Sequence, residues 1–420
     1  MHSSKRSSHA HETAAQPWVG RVPPAFIVII AGMVAALHIG KIPPAIPVLR
    51  DALGVSLVEA GFLLSMVQLA GMSLGLAIGL AADSFGLLRS MLLGLGTLAV
   101  ASVAGAWARD ASDLLVLRAL EGFGLLMAAL PAPSLIRQLV PLNRLSAMLG
   151  LWGAYMPLGS ALGLLFGPLV LGAIGWQGWW WGLGGLTAAM ALWLAIGVPP
   201  DGRRGAVPAR APAPSSPWAE RLGRTLRARG PWLVALSFAV YSSQWLAVIG
   251  FLPSIYVQAG IGGATVGLLT ALAAAVNIIG NVASGRLLQR GLQPRTLLIA
   301  GFSAMALGAY LAFALAPGQP FLRYAGVLVF SMLGGMIPGT LFSLAVRLAP
   351  GDDTISTTVG WMQQWSAAGQ FAGPPLVAWV AGLVGGWQWT WAVTGACSLV
   401  GALLAVQVSG ALRAKGNDEP

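Results

Sequence analysis

About twelve stretches of this chain are apolar for long enough to cross a lipid bilayer, and that limits everything else it can be. At ~20 residues per membrane helix, the runs fall at roughly 25–46, 60–80, 90–108, 114–136, 146–171, 179–198, 231–252, 264–285, 296–316, 323–345, 355–382 and 388–409. Hydrophobic residues make up 56% of the chain and charged residues 9%, against about 25% charged in an ordinary soluble domain. Backbone polar groups in lipid must be satisfied within the spanning structure, which leaves helices or a closed barrel. No alternation of apolar and polar residues is sustained, so a barrel is set aside. The expectation is an all-α membrane protein.

Charge placement gives the expected topology. Of 24 basic residues, only Arg50 and Arg109 fall in loops on one side, and Lys41, Arg118 and Arg323 lie within or at the edge of runs. The remainder gather on the side of both termini, which is therefore read as cytoplasmic. That distribution accounts for the net charge of +11 without a nucleic-acid partner. Residues 199–230 carry six prolines and seven arginines and read as a linker. Within it, 218–229 reads either as a basic amphipathic helix on the anionic leaflet or as solvated chain. The expected organisation is a cytoplasmic tail at 1–24, six spans at 25–198, the linker at 199–230, six spans at 231–409 and a tail at 410–420 of the inner cell membrane. Residues 1–24 lack the apolar core of a signal peptide. His2, His9 and His11 have no partners that would complete a metal set. Cys397 is the sole cysteine and forms no intrachain disulfide.

The stretch Gly79 to Arg89 (GLAADSFGLLR) sits between the second and third runs. A degenerate copy begins at Gly285 and includes Arg290 and Arg295, about 206 positions later. One loop per half implies a duplicated chain. The first copy resembles the loop between spans 2 and 3 of the major facilitator superfamily of secondary transporters, through Gly79, Asp83, Gly86 and Arg89. Ser84 and Leu88 depart from the basic residues usual there. The resemblance implies two six-helix bundles related by a pseudo-two-fold axis along the membrane normal, with a cavity between them near the midplane. Gly79, Asp83, Gly86, Arg89, Gly285 and Arg290 are then expected to form loops that govern conformational change.

Ionisable groups within lipid cost about 2.5–3.5 kcal/mol each on insertion scales, so each needs a reason. His38 and Lys41 are three apart and share one face of span 1. Facing a cavity, Lys41 would attract an anion and His38 would carry a proton; otherwise Lys41 snorkels and His38 is a satisfied core group. Pro43, Pro44 and Pro47 should kink the helix just beyond. Span 4 carries RALEGFG, with Arg118 and Glu121 placed to pair. It resembles the family's span-4 pattern, whose arginine is implicated in coupling. A carboxylate pulled one way by desolvation and the other by a guanidinium is suited to exchanging a proton; the alternative is a structural ion pair. Gly159, Gly163, Gly167 and Pro168 resemble the span-5 motif prominent in drug antiporters, although small residues at four-residue steps also serve packing.

Trp152 and Tyr155 at the opening of span 5 join the expected solute-binding set. In the second half that set includes Tyr241, Gln244, Trp245, Asn277, Gln363 and Gln364, neutral hydrogen-bonding and aromatic groups that also suit interhelical contacts. No phosphate-binding loop, metal set or nucleophile–base pair is present. The chain is expected to be no enzyme, to need no cofactor, and to work as a monomer. The expected function is alternating-access transport of a small solute, anionic and proton-coupled. Efflux of lipophilic compounds is the alternative, and a non-transporting membrane receptor or scaffold the minor one.

Overall fold

The computed structural model describes residues 22–76, 86–201, 217–315 and 318–418. Each apolar run is helical over most of its described length, and no strand occurs among the described residues. Spans 1 to 4 are Pro24–Leu53, Leu57–Leu76, Leu87–Gly105 and Ala111–Leu139. Spans 5 and 6 form one continuous stretch, Tyr155–Gly197, interrupted at Gly175 by non-helical backbone (φ 73°, ψ 178°). Unbroken, 43 residues would extend about 65 Å, roughly twice the hydrocarbon thickness. Gly175 therefore turns the chain, and two spans result. A lead-in helix, Leu142–Gly153, precedes them. Spans 7 to 12 are Arg229–Gln258, Gly263–Gln289, Pro294–Phe313, Pro320–Arg347, Ile355–Val384 and Thr390–Asp418.

Lipid tails are as apolar as leucine, so helix association rests on close packing and polar contacts. Span 5 shows this. Gly159 faces Met33 and Ala36 of span 1, Gly163 faces Gly40, and Gly167 faces Pro44. A side chain on Gly163 would sit 2.9 Å from the Gly40 Cα. The glycine stripe read from the sequence thus joins two helices of one bundle. Lipid-facing positions such as Val100, Ile196, Leu268 and Leu399 are exposed and apolar.

Each half has its own core. Val28, Met91, Leu98, Leu135 and Leu194 centre the first. Phe302, Met305, Phe330, Ile337 and Leu341 centre the second. A third cluster crosses the seam on the side away from the termini, joining Ile46, Leu49 and Leu64 to Phe251 and Ala378. There the outer part of span 1 packs on span 7, and Gly250 of span 7 meets Leu64 of span 2. Spans 2 and 11, and spans 5 and 8, pack along the seam. Spans 4 and 10 make no comparable contact across it. The halves are sealed away from the termini, and spans 2 and 11 stay in contact towards the termini as well, Leu76 against Gly360.

The linker forms a helix, Trp218–Arg227. Arg224 pairs with Asp353 at the start of span 11, and Trp232 donates its indole N–H to the Leu226 carbonyl (2.8 Å). Arg221 and Arg224 are partly covered, while Trp218 and Arg227 are exposed.

Candidate transport site

Span 1 breaks at Lys41. The helix Pro24–Gly40 stops and Ile42–Leu53 begins, with Pro43 and Pro44 in its first turn. Proline lacks an N–H, so it fits a first turn and not a helix interior. The helix is thus interrupted just before the prolines, with Lys41 itself keeping helical dihedrals (φ −65°, ψ −44°), and the Trp179 indole donates to the Lys41 carbonyl (3.2 Å).

Four ionisable groups converge there, all buried: His38, Lys41, Arg118 and Glu121. Lys41 pairs with Glu121 Oε1 and donates to Ser102 Oγ (3.3 Å). Its ammonium also lies 4.6 Å from the centre of the Trp180 ring, which spreads part of its charge. Arg118 donates to Glu121 Oε2 (2.6 Å) and to the Leu63 carbonyl of span 2 (3.1 Å). The i,i+3 pairing expected within span 4 is present. Lys41 was expected to face the gap between the halves. It is instead enclosed, with partners from spans 3, 4 and 6, because Glu121 lies within reach and an unpaired buried ammonium is far costlier than a paired one.

His38 completes the cluster, and its hydrogen bonds fix its tautomer. Thr187 donates its hydroxyl to the Leu183 carbonyl (2.8 Å). It therefore accepts at 2.9 Å from His38 Nε2, which carries the proton. In the neutral ring Nδ1 is then a bare lone pair. It has no hydrogen-bond partner and stands 3.6 Å from Glu121 Oε1, itself an acceptor. Two facing acceptors leave a place for one proton. With His38 neutral, the two cations and one carboxylate sum to one positive charge.

The second half holds a neutral group. Asn277 donates to the Tyr241 hydroxyl (3.0 Å) and the Ser331 carbonyl (2.8 Å). Trp245 donates to the Ser331 hydroxyl (3.2 Å), so three residues of the expected set meet at span 10. Gln244 turns elsewhere, donating to Val240 O (3.1 Å) and accepting from Ser398 of span 12 (3.0 Å). Gln364 donates across the seam to the Met72 carbonyl of span 2 (2.7 Å). Gln363 is exposed. Two turns on, and so on the same face, Gln370 accepts from Gln68 of span 2 (3.0 Å). Trp152 and Tyr155 stack at 4.1 Å between ring centres, with Trp152 packed on Gly32 of span 1.

Gly79 and Asp83 lie outside the described residues. Gly86 takes φ 106°, a region that L side chains rarely adopt. A side chain there would also strike the Asp201 carboxylate. Asp201, just past span 6, accepts from the backbone N–H groups of Leu88 (3.1 Å) and Arg89 (3.3 Å), capping span 3. In the second copy, Gly285 lines a cleft of about 560 Å³ with Gln289, Gly291, Gln293 and Arg347, and Arg290 ends span 8.

Ser102, Thr187, Trp180, Gln68, Gln370, Ser331 and Asp201 were not singled out from sequence. Most are single polar residues in apolar runs, without a spacing pattern to mark them.

Two bundles of membrane helices packed along a seam, with charges buried in one of them, are the architecture of a solute carrier. The pattern that defines the Major Facilitator Superfamily matches residues 25–374, and the chain belongs to that family. It is a multi-pass membrane transporter with the all-α fold of the superfamily. Among solved structures it is similar to a bacterial homologue of the human lysosomal transporter Spinster, in an inward-facing, unoccupied conformation. The TM-score is 0.75 at 16% identity, over 94% of this chain and 98% of that one. The occupied form of the same homologue matches with the same score and identity, over 93% and 98%. Among characterised proteins it is similar to the tetracenomycin C resistance and export protein of Streptomyces glaucescens, 29% identical over 173 residues. That match covers 41% of this chain and 32% of the relative. The methylenomycin A resistance protein of Streptomyces coelicolor is 32% identical over 149 residues, covering 34% of this chain and 31% of the relative. The chain thus matches about a third of the length of each of these two relatives.

Proposed function

We propose that this transporter exports a small, weakly polar organic compound in exchange for protons, as a monomer in the inner cell membrane with termini and linker in the cytoplasm. The observation that carries the proton coupling is His38 Nδ1 facing Glu121 Oε1 at 3.6 Å with no hydrogen-bond partner. A proton entering there bridges the two groups and weakens the hold of Glu121 on Lys41 and Arg118. Among the described residues, Glu121 is also the only acidic residue placed more than a turn inside a span. The cargo class rests on two supports. Lys41 and Arg118 are committed to Glu121, and the groups nearer the seam are amides and aromatics. The two relatives named for antibiotic resistance or export point the same way. The halves would rock about the packed seam, opening to each side in turn. The supporting topology is the gathering of basic residues on the side of the termini.

A second reading keeps an anionic solute as cargo. It is favoured by the excess positive charge of the buried cluster, which a bound anion would balance.

Purified protein in liposomes under a pH gradient, with a pH-sensitive dye inside, tests the main reading against a panel of lipophilic compounds and small anions. At least one lipophilic compound should dissipate the gradient with wild type. His38→Gln, which keeps a donor towards Thr187 but cannot titrate, should retain binding and lose the proton flux. Unchanged proton flux in His38→Gln would overturn the coupling site, and flux driven by anions alone would replace the export reading with the second one.

A further inference from the structure

On the face away from the termini, above the seal of Leu49, Leu64 and Phe251, a cleft of about 530 Å³ opens between the halves. Span 1 and the start of span 2 supply Arg50, Asp51, Gly54, Val55 and Ser56, and span 7 supplies Ser254, Val257 and Gln258. Its volume is in the range of small-molecule pockets, ~300–1,000 Å³.

The polar lining is underused. Arg50 spends its Nε on the Val55 carbonyl (3.3 Å), and its terminal amino groups have no partner among the described residues. Asp51 is exposed and pairs with none of them either. Ser56 accepts from the Glu59 N–H, which leaves its own hydroxyl proton to donate. Gln258 accepts from the Trp387 indole (2.9 Å), which leaves its amide N–H groups. Ser254 is buried, and its hydroxyl has no hydrogen-bond partner among the described residues. A buried hydroxyl without a partner costs free energy that a ligand reaching it would recover.

We propose that this cleft is a binding site for a zwitterionic, amino-acid-sized solute. One guanidinium, of Arg50, and one carboxylate, of Asp51, line its wall. A simple anion drawn to Arg50 meets Asp51, and a simple cation drawn to Asp51 meets Arg50. An α-amino acid satisfies both, its carboxylate on Arg50 and its ammonium on Asp51, in a cleft that Ser254, Ser56 and Gln258 also line. The two walls belong to different halves, so the site exists only while the seam is sealed on this face. Its ligand holds spans 1 and 7 together and favours the state sealed on this face, because a ligand shifts a conformational equilibrium by its differential affinity. The site acts from the outside and is separate from the buried cluster.

The test is tryptophan emission of the full-length purified protein, titrated with the standard α-amino acids. Trp387 reports on the cleft through its bond to Gln258. At least one amino acid should give a saturable change. Lactate, which lacks the ammonium, and ethanolamine, which lacks the carboxylate, should bind at least about tenfold more weakly. Arg50→Gln and Asp51→Asn should each weaken amino-acid binding by about tenfold or more. Val257→Trp, which fills the cleft, should abolish it, with unliganded melting temperatures unchanged throughout. No saturable response to any of the panel would overturn the proposal, as would binding undiminished in Arg50→Gln or retained in Val257→Trp. Because binding is read without transport, its failure leaves the export reading untouched, and the reverse also holds.

Discussion

Glu121 is held by two cations inside lipid, and each of the three is tolerable because of the others. Removing the carboxylate strands Lys41 and Arg118 together. Breaking a buried pair by deleting one partner typically costs about 3–5 kcal/mol. Glu121→Gln should therefore destabilise the folded protein by about that amount in denaturant titrations. Lys41→Met added to Glu121→Gln should recover part of the loss, since one stranded charge is removed. A double mutant no better than the single would show that Lys41 finds another partner. The pairing itself was not readable from the sequence. Lys41 and Glu121 are 80 positions apart on different helices, and nothing in span 1 says which neighbour its ammonium meets. The Arg118–Glu121 contact was readable, because three-residue spacing fixes it within one helix.

At the level of helices, small residues and caps decide position. Gly163 lies against Gly40 backbone, which cannot yield as a flexible side chain would. Gly163→Leu should cost about 1–3 kcal/mol by overpacking and lower folded yield on size-exclusion chromatography. Gly172→Leu, on the same helix with open space around it, should be neutral. Asp201 caps span 3 from far along the chain, and Asp201→Ala should cost about 0.5–2 kcal/mol, read as a lower melting temperature. The spans themselves were legible because long apolar runs in lipid allow little but helix. Their ends moved by a few residues, and the 146–171 run divides near Ala154 into a lead-in helix and span 5. The Asp201 cap was invisible, because capping by a distant segment leaves no local signature.

For the molecule as a whole, the duplicated loop and linker gave the two-bundle plan, while the contacts that seal the seam came only from the packing. The amide contacts Gln68–Gln370 and Gln364–Met72 join residues about 300 positions apart, beyond what repeats or spacing reveal. The seal away from the termini gives a direct test of movement. In a Cys397→Ser background, Leu64→Cys with Gly250→Cys places two thiols where the halves touch. Oxidation should cross-link them and abolish transport in liposomes, and a reductant should restore it. Transport that continues in the cross-linked protein would show that this part of the seam never opens.

The connector between the halves is moored at both ends: Asp201 fastens its beginning to span 3, and Arg224 fastens its helix to span 11. Residues 202–223 lie between the moorings, and 218–223 of them are already helical. Each half therefore carries one end of the connector, and any rocking of the halves has to be taken up in the stretch between Asp201 and Arg224.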